Sequence, residues 1–404
     1  TAMHQRVLGL PDLLKDWLPQ IGLGIRGFLY WQYRPEVLGL ESPAWGLVNL
    51  DGSDRPITRA FQTFTEKITP HLEALMTCPP PSSEVGIWKS RKNEIFHFAM
   101  HGDFRALAES VEGYIEAVYG QNVPYRIVNE TMLANGELDG LKLLILPAPY
   151  CLSDEEVRGL DRWVRQGGVV IAEAHLAGFS ATQGRHARVL PGGGLAQAWG
   201  IREVESTSSY HLKAEAFAGG EAGLDNQQMP EDVRKALRDF GQAGGLYYPI
   251  QLAEGAIAWS ALRYAVLDGA DLNAVGWFEP GKPCLVSKPV GDGFVFYCGA
   301  HLGQGAKKDP AGLVRLLRKA FERAGVRPAA NLRGPGFGQV RVDVISSVGR
   351  PRYLVINNRS ETPQRIQLDA LPDGMGLFTG LELALKNGKE VEIPGAWIDL
   401  VVLK

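Results

Sequence analysis

Ser153-Asp-Glu-Glu-Val-Arg-Gly-Leu-Asp-Arg-Trp-Val-Arg-Gln-Gly-Gly-Val-Val-Ile-Ala172 holds a helix, its stop and a strand in one short run. Ser153 and Glu156 make the Ser-x-x-Glu pattern, in which hydroxyl and carboxylate each satisfy a backbone N–H at a helix start. Val157, Leu160, Trp163 and Val164 recur at helical spacing, and Gly167-Gly168 ends the pattern. Val169 to Ala172 is then apolar at every position. A strand without alternation has both faces covered, which together with amphipathic helices on either side implies a parallel sheet.

Working outward, Val85 to Trp88, Tyr125 to Val128 and Leu143 to Leu146 read as further strands. A helix N-capped by Asp103 carries Phe104, Leu107, Val111, Tyr114, Ile115 and Val118 and stops at Gly120. From Ser180 to Asn273 the pattern loosens, and Gly192-Gly193-Gly194 and Gly219-Gly220 are expected to mark mobile loops. It sharpens again at Cys284 to Val286 and Phe294 to Tyr297, with Gly291-Asp292-Gly293 as their hairpin turn. A last helix starts at Asp309-Pro310, carries Leu313, Leu316, Leu317, Ala320 and Phe321, and ends at Gly325. The expected α/β domain spans 84–328.

Pro79-Pro80-Pro81-Ser82-Ser83 reads as the linker to a first unit, 1–78. That unit offers a helical pattern at Leu10 to Leu18, an aromatic-rich buried strand at Gly27 to Trp31, a Gly- and Pro-rich loop from Pro35 to Pro56, and a helix from Ile57 to Met76. These elements are too few to close a core alone. If ordered, their apolar faces must bury against the α/β domain or a partner subunit. Beyond Asn331 the period changes to two: Val340, Val342 and Val344 alternate with polar residues, and Tyr353 to Ile356, Arg365 to Leu368, Val391 to Ile393 and Trp397 to Leu403 complete a small β-sandwich over 331–404.

Composition bounds the function. The 404 residues are 45% hydrophobic and 22% charged with a net charge of −3, which is ordinary globular chemistry with no polycationic surface for nucleic acid or anionic lipid. No run of about 18 apolar residues could span a bilayer. The N-terminus shows no basic region followed by an apolar stretch, so no signal peptide is expected, and Thr1-Ala2 ahead of Met3 reads as a cloning scar. Cys78, Cys151, Cys284 and Cys298 lie far apart without metal-ligand spacing, so reduced structural thiols in a cytoplasmic protein are expected, with no metal and no cofactor.

The stretch Gly27-Phe-Leu-Tyr-Trp-Gln-Tyr-Arg-Pro-Glu-Val-Leu-Gly-Leu-Glu-Ser-Pro-Ala-Trp-Gly-Leu-Val-Asn-Leu-Asp-Gly52, followed by Thr58-Arg59-Ala60, resembles the eighth strand and following loop of the (β/α)₈ barrel in glycoside hydrolase family 42. The later segments resemble that family too: Gly281 to Gly299 and Ala324 to Pro328 look like the end of its flavodoxin-like trimerisation domain. The resemblance implies a β-galactosidase architecture, a homotrimer, and galactosides as substrates. It implies that Trp31 walls the galactose subsite and that Glu41 hydrogen-bonds sugar hydroxyls. Barrel sites lie at the carboxyl ends of the strands, where both residues fall. One departure bears on substrate preference: Ala44 stands where the family often has a His.

The resemblance also says what is missing. Family members place two catalytic carboxylates after the fourth and seventh barrel strands, and retaining glycosidases hold them about 5–5.5 Å apart. Before Gly27 this sequence has no Glu, and only Asp12 and Asp16 among the acidic residues, both in a helical stretch. A barrel takes about 250 residues, so strands one to seven are absent and no catalytic residue is assigned. The expected function is the C-terminal part of a β-galactosidase, active only with an N-terminal barrel subunit. The alternative is a freestanding oligomerisation or sugar-binding protein.

A third reading, a class I glutamine amidotransferase-like enzyme, meets Ala172-Glu173-Ala174-His175, with Ala174 where the nucleophilic thiol would stand. His175 then reads as a structural histidine, and Cys151 as an unreactive thiol.

Overall fold

The structure, a computed structural model, describes residues 7–208, 247–347, 349–368 and 371–404. Gly219 and Gly220 lie outside the described residues. The chain divides into two compact units. One comprises residues 83–119 and 125–327; the other joins 1–82 and 120–124 to 328–404.

The second of these begins with α1 (Leu10–Gly22), where the Asp12 carboxylate accepts the Gly9 N–H at 2.9 Å. Leu13, Leu14, Trp17, Leu18 and Ile21 form its buried stripe. Helix α2 (Pro56–Ile68) buries Ile57, Ala60, Phe64 and Ile68, and a short turn carries the chain into a last helical segment ending at Thr77. Between them, Gly27 to Trp31 is extended but belongs to no strand. The expectation of a buried strand is corrected here. Alternate side chains still take opposite sides. Phe28 stacks on Trp17 at 4.6 Å and Tyr30 meets Phe61 edge-on at 5.5 Å, while Leu29 and Trp31 are 93% and 69% exposed. A strand needs a neighbour to complete its ladder, and the described residues of this unit supply none.

The α/β unit is built on a nine-stranded sheet: β1 (Val85–Trp88), β2 (Tyr125–Val128), β3 (Leu143–Leu146), β4 (Val169–Ala172), β5 (Tyr248–Leu252), β6 (Ile257–Ser260), β7 (Asn273–Glu279), β8 (Lys282–Val290) and β9 (Gly293–Cys298). Their order is β2-β1-β3-β4-β9-β8-β7-β5-β6. The first five are mutually parallel and the other four antiparallel, so the expected parallel sheet is half of a mixed one. The reversal sits at the expected hairpin, with Val290 opposite Gly293 across Gly291-Asp292. A two-residue turn can join only antiparallel strands. β1, β3 and β4 are buried at every position, as their unbroken apolar runs require.

The four longest helices among the described residues of this unit have legible starts or stops. Helix α3 (Arg91–His101), N-capped by Ser90, has no clear signal in the sequence, because its charged first turn gives a weak apolar stripe. Helix α4 (Arg105–Tyr119) begins where the Asp103 carboxylate accepts the Arg105 N–H. Helix α5 (Asp154–Arg165) carries the expected reciprocal cap: the Ser153 N–H reaches Glu156 at 2.8 Å, and the Ser153 hydroxyl accepts the Glu156 N–H at 3.2 Å. Helix α6 (Ala311–Ala324) ends at Gly325 with φ +64°. Within Gly192 to Gly194, expected as a mobile loop, Gly192 is buried and a Cβ there would overlap the Ala177 carbonyl, while Gly193 and Gly194 are exposed.

The C-terminal strands β10 (Val340–Ser347), β11 (Arg350–Asn358) and β12 (Ile398–Leu403) form an antiparallel sheet, ordered β10-β11-β12. Ile345, Tyr353, Val355, Ile398 and Leu400 share one core with Leu18, Trp17, Phe64 and Leu75. The N-terminal helices therefore bury their apolar faces against these β-strands, which corrects the expectation of an α/β-domain or partner-subunit contact. The other face of the sheet packs a separate core around Val342, Leu354, Ile356, Ile366 and Val401. Covering both faces explains why β10 is buried at successive positions despite its alternating sequence.

Candidate functional site

Trp31 and Glu41 both lie on the loop that runs from α1 to α2. The loop is tied to itself: Leu47 and Val48 N–H groups donate to the Gln32 and Tyr33 carbonyls at 3.2 and 3.1 Å, and the Arg55 guanidinium reaches the Gly46 carbonyl at 2.6 Å. Trp31, Tyr30, Trp45 and Arg55 line a hollow of about 160 Å³ with Val7, Leu8 and Pro56. Glu41 does not line it. It is half-buried, and its carbonyl accepts the Ala44 N–H at 2.7 Å. On the same loop, Leu29, Tyr33, Val37, Leu38 and Leu40 are all exposed. The loop thus exposes apolar and aromatic side chains, among them the Trp31 indole, suited to stacking on the apolar face of a sugar ring or to joining a larger protein core.

The α/β unit holds a second, polar assembly that no local sequence pattern indicates. His97 and His101 come from α3, Tyr150 follows β3, His175 follows β4, and His301 follows β9. The Tyr150 ring is their hub: His97 stacks on it at 4.4 Å, His175 lies 5.0 Å away, and its hydroxyl is 3.1 Å from His301 Nε2. Arg263 donates through Nε to the same hydroxyl at 3.2 Å. His175, in the left-handed region at φ +68°, donates its N–H to the Glu203 carboxylate at 2.6 Å, and its ring meets His186 with Nε2 to Nε2 at 2.9 Å. Beneath them Glu173 accepts the Ser110 hydroxyl and the Ala148 and Gly303 N–H groups at 2.5, 2.8 and 2.8 Å.

Burial sets the charges here. Desolvation pushes His97 down to about 4 and His175 down to about 2, with Arg263 adding to the second. His301 is driven well below the usual histidine range by the same burial, with His97 and the Arg263 charge adding to it. Tyr150 rises to about 12, so it acts as a hydrogen-bonding ring and not as a nucleophile. Cys151 rises to about 11 through burial, which keeps it a thiol. All four cysteines are free and buried. Among the described residues no cluster of three or more His, Cys, Asp or Glu side chains could hold a metal, and no helix is long and apolar enough to cross a membrane.

No family model matches this chain, and no curated protein matches it by sequence. Solved structures do match its fold. A catalytic mutant of a family 42 β-galactosidase from G. stearothermophilus is 16% identical over 98% of this chain and 51% of its own length, with a TM-score of 0.73. The cold-adapted β-galactosidase from Rahnella sp. R3 gives 16%, 97%, 51% and 0.70 for the same four quantities. The β-galactosidase from Bacillus circulans sp. alkalophilus gives 15%, 93%, 49% and 0.65. The chain spans about half the length of the structures it matches. At these identities the likeness is one of fold: a large mixed sheet with helices, joined by smaller β-sheets.

Proposed function

We propose that this chain is the C-terminal part of a β-galactosidase-like glycoside hydrolase. The observation that carries the reading is the fold match along nearly the whole chain to only half of several β-galactosidases. On this reading residues 1–78 are the end of a barrel, 84–328 a flavodoxin-like trimerisation domain, and 331–404 an accessory β-domain. Trp31 walls the galactose subsite, and Glu41 turns toward sugar hydroxyls once the barrel is complete. The open face of Gly27 to Trp31 supports this: Leu29 and Trp31 stand exposed on a segment whose other side is already packed.

Both catalytic carboxylates then come from polypeptide outside these residues, so the chain alone binds sugar weakly and turns nothing over. The four buried free thiols support a reducing, cytoplasmic setting. The test is hydrolysis of a nitrophenyl β-galactoside by the chain with and without a polypeptide supplying barrel strands one to seven. Activity only in the mixture is expected; turnover by the chain alone overturns the reading. Light scattering should give a trimer, and a monomer at micromolar concentration would remove the trimerisation assignment.

A further inference from the structure

The polar assembly of the α/β unit stands where open α/β sheets bind ligands. In such sheets the loops beyond the carboxyl ends of the strands form the binding crevice, at the point where strand order reverses. Here β1 has β2 on one side and β3 on the other, so the reversal lies between β1 and β3. His97, Tyr150, His175 and His301 follow the carboxyl ends of β1, β3, β4 and β9. Side chains from four separated segments thus meet at one edge.

At that edge Arg263 brings a permanent positive charge. Its guanidinium sits 5.4 Å from the Tyr150 ring centroid, is only partly exposed, and uses Nε on the Tyr150 hydroxyl. The Glu203 carboxyl is near enough to favour its charge, but among the described residues the guanidinium makes a hydrogen bond only to Tyr150. The remaining N–H donors form a fork that matches a carboxylate or phosphate. We propose that this edge binds a small oxyanion, a carboxylate or a phosphate group, on Arg263, within the ring of His97, His101, His175 and His301.

The histidines supply a second, independent observation. His97 Nε2 is 3.1 Å from the Ala148 carbonyl, which only accepts, so Nε2 carries the proton. His186 Nδ1 likewise donates to the Ala187 carbonyl, which leaves the Nε2 of a neutral His186 to accept from His175 Nε2–H. The Nδ1 atoms of His97 and His175 are then bare acceptors, buried and without a partner among the described residues, and His301 Nδ1 is buried and unpartnered as well. Buried polar atoms are nearly always matched in a native protein. These imidazole nitrogens are unconsumed capacity that can serve an anion only by taking up protons, and Glu203 Oε2 beside them is unpartnered too.

Proton linkage follows from the same geometry. The rings are held neutral by burial, and an anion among them favours their cationic form, so binding takes up protons and strengthens as pH falls. The acidic groups nearby do not cancel this. Glu203 accepts the His175 N–H and the Tyr297 hydroxyl on Oε1, each at 2.6 Å, with Oε2 unpartnered, and Glu173 is engaged by its three donors. Burial raises both carboxyls toward the neutral form. Asp103, beside His101, favours protonation at the rim. Tyr248, buried against the cluster, stays neutral with Tyr150 and Tyr297.

Titration calorimetry of the whole chain with inorganic phosphate and with malonate, in two buffers of different ionisation enthalpy, tests this. Binding of at least one anion, with proton uptake, is the expected result; which anion binds identifies the group. Arg263→Met should weaken it about tenfold or more, the loss of a charge-assisted fork, and the rim variant His101→Gln should weaken it less with melting unchanged. No binding of either anion at about 20 mM, weaker than any specific site, overturns the proposal. So does undiminished binding in a folded Arg263→Met protein.

Discussion

The aromatic loop of the first unit and the histidine edge of the α/β unit break opposite rules of protein surfaces. Around Trp31 the molecule exposes what is ordinarily buried: Leu29, Val37, Leu38 and Leu40 are each at least 75% exposed, and Leu40 is fully so. Around Tyr150 it buries what is ordinarily exposed, with His97, His301 and Glu173 at 0%. Isolated apolar residues on a surface are common, but a contiguous patch implies a partner. Buried ionisable groups are rare, and they persist only where hydrogen bonds or function compensate. The first region therefore presents a surface outward, the second turns inward to a ligand or a structural network.

The sharpest division lies between residues that hold a unit together and residues that serve something outside it. Trp17 belongs to the first kind: it is 5% exposed and packs against Phe28, Phe61 and Phe64. Trp17→Ala should cost about 3–5 kcal/mol, read in urea as loss of the transition of the unit that contains β10 to β12. A retained transition would mean that the N-terminal helices do not share that core.

Glu173 tests whether the α/β edge is structural at its base. Glu173→Leu leaves the Ala148 and Gly303 N–H groups buried without an acceptor, at about 1–3 kcal/mol each. Glu173→Gln keeps one carbonyl oxygen and should recover much of that loss. Equal destabilisation by the two would assign the effect to packing, not to the hydrogen bonds.

A smaller effect is expected from pH. His97 and His175 are held below their unfolded value, so between that value and the folded one the unfolded chain binds more protons. Their stabilising contribution is complete above about pH 6.5 and is lost as pH falls toward about 4 for His97 and about 2 for His175, at up to about 1.4 kcal/mol per unit of pH for each ring. His97→Gln, whose amide can still donate to the Ala148 carbonyl, should flatten the fall of melting temperature between about pH 6.5 and 4. An unchanged slope would show that His97 is not the titrating group.

How much of this was legible depends on whether the signal is local. The Ser153–Glu156 cap, the unbroken runs of β1, β3 and β4, and the Gly291–Gly293 hairpin are written within a few residues, and the structure shows each of them. The histidine edge is not local. Its members lie on four segments between His97 and His301, and α3, which carries two of them, has too polar a first turn to show a helical stripe. His175 reads in isolation as one histidine after a strand; only the fold places it beside His186 and Tyr150. Gly27 to Trp31 fails differently. Its composition is that of a strand, yet strand formation depends on neighbours, and the described residues supply none.

That failure makes Trp31→Ala the most discriminating small effect. Trp31 is 69% exposed, its neighbours Phe28 and Tyr30 hold the segment from the other side, and it lines only a shallow hollow. Removing an exposed ring away from caps and cores should change stability by no more than about 0.5 kcal/mol. If Trp31 serves the chain's own fold, urea melts will show a cost of the size expected for Trp17. If it walls a sugar site completed by other polypeptide, stability will hold while nitrophenyl galactoside hydrolysis by the reconstituted mixture falls through KM. A raised KM at unchanged stability separates the surface that waits for a partner from the core that needs none.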